Sequence, residues 1–254
     1  MIRQPSPLGL AMFNAGLGLR PLVKGLDFYR YIEYCILLEQ LWIRGISNGS
    51  LLDLGCGEEP LSAYLAARCG LTVTALDADE DKIMIQNRYR ASQGLEKALT
   101  LLKRDGVDTG LAEDSIDNAV CLALMPLLAN DRDISIMREI GRIVRPGGLV
   151  FVSTTYGRNY EERSFDVSAK GFLRVYDMEG LKSRIINPSG LTLREMVFFG
   201  ARTFRFDRFW YSLPFLARLP IRFLSPLLST AFLSYEHYHR RPEGAFLILS
   251  KETS

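Results

Sequence analysis

Histidine is almost absent from this chain: among 254 residues only His237 and His239 occur, two positions apart near the end. A histidine base, if the protein uses one, is therefore one of these two. The four cysteines, Cys35, Cys56, Cys69 and Cys121, form no C-x-x-C pair, and each lies in an apolar or helical stretch. That spacing argues against a zinc site or a disulfide framework and fits reduced, buried thiols in a cytosolic protein. No run of ~20 residues is free of both charge and proline, as a membrane-spanning helix requires. The nearest candidate, "LPFLARLPIRFLSPLLSTAFL", carries Arg218, Arg222 and three prolines. The N-terminus lacks the charged-then-apolar layout of a secretion signal; Pro5 and Pro7 precede a glycine-interrupted run that reads as a loosely structured lead-in or lid. Charge of one sign is missing too. With 31 basic and 29 acidic residues the net charge is +2, which gives no strong attraction to a nucleic-acid backbone. There is no internal repeat and no low-complexity tract.

What is present is a large apolar fraction, 48%, enough for one α/β domain with insertions. Apolar residues at Phe28, Tyr31, Ile32, Cys35, Leu38 and Trp42 recur at helical spacing, and Gly45 ends that helix. "GSLLDLG" then reads as a short buried strand. Pro60 suits the first turn of the helix that follows, and Glu58 and Glu59 suit its dipole. "LTVTALDAD", "ALTLLKRD", "SIDNAVCLAL" and "GGLVFVSTTY" are further strands separated by helices, "LTLREMVFFG" is a sixth, and "GAFLILSKE" is the last. Strands alternating with helices predict a Rossmann-like, doubly wound α/β fold: a mostly parallel seven-stranded sheet with helices on both faces. Residues 1–45 divide as a lead-in and helix forming a lid or cap, and 46–254 as the main domain. Within it, 201–243 is an aromatic, arginine-rich helical insertion before the last strand.

The stretch most informative about function is "LLDLGCGEEP". In an open parallel sheet, ligands lie beyond the carboxyl ends of the strands, and glycine lets a ligand approach the backbone there. A dinucleotide loop has the form G-x-G-x-x-G, but here the third glycine position is Pro60. Asp53 precedes Gly55 by two residues, where a cationic amino group is welcome and a pyrophosphate is not. Asp77 ends the second strand twenty residues past Gly57 and can accept from ribose hydroxyls. The pattern favours a nucleoside carrying a cationic amino acid, of which S-adenosylmethionine is one.

With "LLDLGCG", "VTALDAD", "LLKRDG", "SIDNAV" and "MREIGRIVRPGGLVFVST" in this order, the chain resembles the class I S-adenosylmethionine-dependent methyltransferases, in particular their small-molecule, type 11 branch. The resemblance covers roughly residues 50 to 155 and implies S-adenosylmethionine as cofactor, S-adenosylhomocysteine as product and no metal. It implies that Asp53 and the backbone around Gly55, Cys56 and Gly57 hold the methionine end. Asp77 would bind the ribose with Ala78 beside the adenine, Asp105 and the Gly106 N–H would meet the adenine, and Leu122 and Ala123 would line the methionine side. Simpler roles are open for several of these: strand-end capping for Asp53 and Asp117, a plain turn at Gly147–Gly148, and a small spacer without redox function at Cys56.

The acceptor side is less legible. Many relatives carry a histidine just after the fourth strand, and "LALMPLLAND" has none. The candidates for catalysis are His237 and His239, provided the insertion folds over the pocket mouth, and Tyr156 and Tyr160. Asp166, Arg174 and Tyr176 are further candidates for substrate contact. The segment 202–233 interleaves arginine with Phe, Trp and Leu, and reads either as a core-completing cap or as a membrane-facing, lipid-gripping lid. The expected activity is methyl transfer to a small or amphipathic, lipid-like acceptor, in the cytoplasm or peripherally at a membrane. A non-catalytic cofactor-binding scaffold and an RNA or protein methyltransferase are the alternatives.

Overall fold

The computed structural model describes residues 6–165, 171–202, 214, 217, 222 and 224–253. Asp166 and most of the 202–233 segment lie outside the described residues. The lead-in is helical rather than loose: α1 spans Pro7–Gly16 and α2 Leu19–Lys24. Proline is favoured in a first helical turn, and the Ser6 hydroxyl caps α1 by accepting from the Gly9 N–H at 2.9 Å. α3 runs over Phe28–Ile43, capped by the Asp27 carboxylate, which accepts from the Tyr29 N–H. Gly45, at φ +66°, turns the chain away after it.

From there strands and helices alternate as the sequence pattern predicts. β1 is Ser50–Leu54, α4 Leu61–Arg68, β2 Thr72–Asp77, α5 Glu80–Gln93, β3 Leu99–Lys103, β4 Ile116–Leu122, α6 Arg132–Ile143 and β5 Val144–Thr155. A hairpin that the sequence did not announce follows, β6 Glu161–Phe165 and β7 Gly171–Val175, paired antiparallel. β8 is Thr192–Ala201, β9 Leu233–Glu236 and β10 Gly244–Ser250. The main sheet has the order β3-β2-β1-β4-β5-β10-β8-β9. The first five strands are mutually parallel, while β10 runs antiparallel to β5 and β8. The sheet thus has eight strands, not seven. The extra one, β9, is formed by "LSYE" at the end of the supposed insertion and pairs antiparallel with β8.

Side chains alternate across the strands, so each strand feeds two cores. Leu51, Val73, Val120, Phe151 and Phe246 join one core with α1, α3, α4 and α5. Leu52, Leu76, Cys121, Val152 and Leu247 join the other with Ile136, Met137 and Ile140 of α6 and with Leu181 and Ile185. The strand order reverses between β1 and β4, which opens a crevice beyond their carboxyl ends.

Candidate functional site

The loop leaving β1 is folded back by its own backbone. The N–H groups of Gly55 and Cys56 both donate to the Leu76 carbonyl, at 2.8 and 3.1 Å. Gly55 has φ +77° and Gly57 φ +57°, a left-handed conformation that side-chain-bearing residues rarely adopt. A Cβ at Gly55 would also lie 2.8 Å from the Leu124 side chain. From below, the buried Gln86 of α5 donates its amide to the carbonyls of Gly57 and Glu59, at 3.0 and 2.8 Å. Nothing in the sequence marks Gln86, because a glutamine on a polar helix reads as solvated.

Asp77 closes the loop from the side. Its Oδ2 accepts from the Gly57 N–H at 2.9 Å, and its Oδ1 from the Asp79 N–H at 3.0 Å. Each carboxylate oxygen accepts about two hydrogen bonds, so one acceptor position is left on each. Ala78 is exposed beside it. Asp53 is buried under the loop and accepts from the Ser62 hydroxyl. Burial pushes its pKa up to about 6, with Asp77 adding to the rise and Ser62 and Arg30 opposing it. Burial likewise raises the Cys56 thiol, helped by Asp53 and Asp77, which leaves Cys56 a small neutral spacer.

At the end of β3, Asp105 is ion-paired with Arg132 of α6 at 2.7 Å, and that bond holds its carboxyl below the usual range. Gly106 is buried against Leu54 and Ile136, where a Cβ would come within 3.0 to 3.1 Å of their side chains. Leu122 is buried at the end of β4, and Ala123 follows it at φ +46°. A non-glycine residue in that region is strained, and such strain concentrates at functional sites. The Ala123 N–H is held by the Ser153 hydroxyl at 2.9 Å and the Ser153 carbonyl at 3.1 Å.

Sequence reasoning missed the contribution of α3. Arg30 donates to the Leu122 carbonyl at 2.9 Å and pairs with Glu33 at 3.1 Å. The buried Glu33 in turn accepts from the Ser153 hydroxyl at 2.8 Å. Burial alone would lower the Arg30 pKa, yet Glu33, Tyr34 and Glu59 hold it above its ordinary value. Burial raises that of Glu33, against the pull of Arg30 and Ser153. An arginine–carboxylate pair thus stands at the carboxyl ends of β4 and β5. No local motif marks it, since its partners lie 92 and 120 residues away.

The predicted catalytic candidates are not brought together. β9 lies four strand spacings from β4, ~19 Å across the sheet. That offset keeps His237 and His239 away from the crevice. His237 is exposed and lies 3.3 Å from the Met196 carbonyl in mid-β8, while His239 bonds Ser234 and the Arg241 N–H. Tyr156 packs on Phe198, and Tyr160 bonds Glu162 on the β6–β7 hairpin. Arg174 and Tyr176 are fully buried around Asp133, which accepts from them at 2.6 and 2.8 Å; Arg184 completes the cluster. They hold the hairpin to α6. Asp117 works at the opposite end of the sheet, where it binds Ser50 and Arg145.

Glycine loop, switch-point crevice and an acid ending β2 define a nucleoside-binding class I fold. Residues 52–152 match the family described as "Methyltransferase domain", a match that supports a class I S-adenosylmethionine-dependent methyltransferase of the type 11 branch. The chain is 28% identical over 167 residues to the methyltransferase GfsG of Streptomyces halstedii, covering 63% of this chain and 59% of that one. It is 30% identical over 117 residues to a ubiquinone biosynthesis O-methyltransferase of Aeromonas salmonicida, covering 44% and 48%. The matches therefore span about half to three fifths of these curated relatives. Among solved structures, the [4+2]-cyclase SpnF superposes with a TM-score of 0.58 at 19% identity, over 82% of this chain and 76% of that one. A putative sarcosine dimethylglycine methyltransferase from Galdieria sulphuraria does so at 0.58 and 14%, over 85% and 84%. Among the described residues no helix is long and apolar enough to cross a membrane.

Proposed function

We propose that this protein uses S-adenosylmethionine to methylate a small, amphipathic acceptor. The observation that carries the reading is the arrangement around Asp77: a glycine loop bonded to a carboxylate that keeps one acceptor position on each oxygen. Two vicinal ribose hydroxyls match that pair of positions. Asp53 and the loop backbone would take the methionine ammonium, and Arg30, at the end of β4, its carboxylate. Asp105 and Gly106 would take the adenine, with Arg132 keeping the Asp105 carboxylate ionised. Bound there, the cofactor would supply an electrophilic methyl group and leave as S-adenosylhomocysteine. The protein's share is to place the acceptor in line and exclude water. Where the acceptor carries a proton, Glu33 is the group assigned to take it, since it stands beside Ser153 and Ala123 at the crevice end. The relatives' names, an O-methyltransferase among them, support oxygen as the acceptor atom.

A second reading is cofactor binding without methyl transfer. It is favoured by the lack of a histidine after β4 and by the likeness to a solved [4+2]-cyclase, a different chemistry on the same fold. The near-neutral charge gives no support to an RNA acceptor. Calorimetric titration with S-adenosylmethionine, with NAD as control, tests the first reading. Saturable one-site binding of the former alone is expected, and no binding by folded, ligand-free protein would overturn it. Methyl transfer to any member of a hydroxyl-bearing acceptor panel then separates it from the second.

A further inference from the structure

Three short helices, α1, α2 and Ser225–Phe232, each turn large apolar side chains outward. α1 exposes Leu8 and Met12, one turn apart, and α2 exposes Leu19 and Val23, again one turn apart. The helix Ser225–Phe232, which packs beside α1 and α3, exposes Leu227, and Leu224 stands just before it. Met12, Leu19 and Leu227 are 69%, 77% and 66% exposed, far above what core-forming residues show. These are not side chains waiting for the core. The same helices already bury Leu10 and Phe13 of α1, Pro21 of α2 and Ser229 of the last helix. Each helix therefore has an inner face in use and a second apolar face turned to the outside.

The surface is tied to the site. Lys24 of α2 pairs with Glu58 at 2.8 Å and with Glu59 at 3.1 Å, both in the loop after β1. The Ser229 hydroxyl donates to the Phe28 carbonyl at the start of α3, the helix that carries Arg30 and Glu33. Cations border the apolar residues: Arg20, 64% exposed on α2 and paired with Glu58 at 3.1 Å, and Arg68, exposed at the end of α4 with its guanidinium over the Phe13 ring. This combination of apolar rows on short helices with cations at the rim suits a lipid–water interface, where apolar side chains dip below anionic headgroups. A second copy of the chain suits it less. In a two-fold contact the rim cations of one copy would need acids on the facing rim of the other.

We propose that the outer face of α1, α2 and the helix Ser225–Phe232 seats on a bilayer containing anionic lipid, presenting the crevice mouth to an acceptor dissolved there. The second half of this statement rests on the amphipathic-acceptor reading above; the first does not.

The test is flotation of the full chain with vesicles of phosphatidylcholine alone and of phosphatidylcholine with one quarter phosphatidylglycerol. The wild-type chain should float with the anionic vesicles and bind the neutral ones about tenfold more weakly. Met12→Gln/Leu19→Gln, which removes apolar surface without adding charge, should lower anionic-vesicle binding about tenfold. Leu227→Gln should lower it in the same direction from the third helix. Melting curves and S-adenosylhomocysteine titration on the same samples report folding and the cofactor site independently. Absence of flotation, or flotation unchanged in the variants, overturns the surface even where the nucleoside still binds. Concentration-dependent dimerisation abolished by the variants also overturns it, by assigning the face to a second copy. Flotation with no nucleoside binding would leave the surface standing and remove the cofactor reading.

Discussion

Gly57 donates its backbone N–H to Asp77 Oδ2 at 2.9 Å, so the loop after β1 and the end of β2 share one carboxylate. That bond pre-forms the ligand site, because the carboxylate is oriented before any ribose arrives. Asp77→Ala should weaken S-adenosylhomocysteine binding by about 1–3 kcal/mol, or about 5- to 150-fold, through lost hydroxyl bonds and a loosened loop. Titration calorimetry reads this directly. Unchanged affinity would show that the nucleoside is not held here.

Asp53 predicts a pH dependence of definite sign. Burial raises its pKa from 3.8 to about 6 in the folded chain. The folded state therefore holds this proton more tightly than the unfolded one between those values. The associated stability is fully present below pH ~4 and is lost as pH rises through ~6, at most ~3 kcal/mol for the two-unit shift. Asp53→Asn should flatten the stability profile across that window in melts taken from pH 4 to 7. A ligand ammonium beside Asp53 favours its ionised form, so nucleoside binding at pH ~6 should release protons in the wild type and fewer in the variant. Equal heats in buffers of different ionisation enthalpy would contradict this.

How much of this was legible in the sequence depended on how local each feature is. The glycine loop, Asp77 and Asp105 each sit at a strand end followed by a turn, and contiguous backbone patterns of that kind announce themselves. The Arg30–Glu33 pair did not, because charges on a helix usually face water, and nothing in residues 28–43 shows that they reach β4 and β5. The two histidines misled for a topological reason. They precede the last strand in the chain, but β10 inserts between β5 and β8 and leaves β9 at the far edge. The β6–β7 hairpin escaped notice because "EERSF" and "GFLRV" are short, and the first is highly charged. Its anchor, Asp133, looks in sequence like one more acid at a helix start.

That anchor carries a stability prediction. Asp133, Arg174 and Tyr176 are all fully buried, and the Asp133 carboxylate is the common acceptor for Arg174, Tyr176 and Arg184. Asp133→Ala would strand the Arg174 guanidinium in the interior with Glu162, the Asn130 carbonyl and a long bond to the Tyr176 hydroxyl to hold it. Breaking a buried pair in this way typically costs about 3–5 kcal/mol. Replacing the pair together, Asp133→Leu with Arg174→Met, should cost less than Asp133→Ala alone, because no charge is left behind. Denaturant unfolding of the three proteins measures both differences. A single variant as stable as the double would mean that the network contributes little.

Glu33 separates a catalytic role from a merely structural one. Sinefungin carries an ammonium group where the cofactor carries its methyl-bearing sulfonium, while S-adenosylhomocysteine has a neutral thioether there. If Glu33 faces the point of methyl transfer, its carboxylate should favour sinefungin over S-adenosylhomocysteine. Glu33→Gln keeps the shape and an acceptor for the Ser153 hydroxyl but removes the charge. It should erase a preference of about tenfold or more, while S-adenosylhomocysteine affinity stays within about threefold. The charges bearing on Glu33 are Arg30 and Asp27, and neither is altered by the substitution, so the change in preference reports on Glu33 itself. Equal weakening of both ligands would make Glu33 a strut for Arg30 and Ser153, and the proton acceptor would have to be the acceptor's own environment or water. No preference in the wild type would place the carboxylate out of reach of the transferred group.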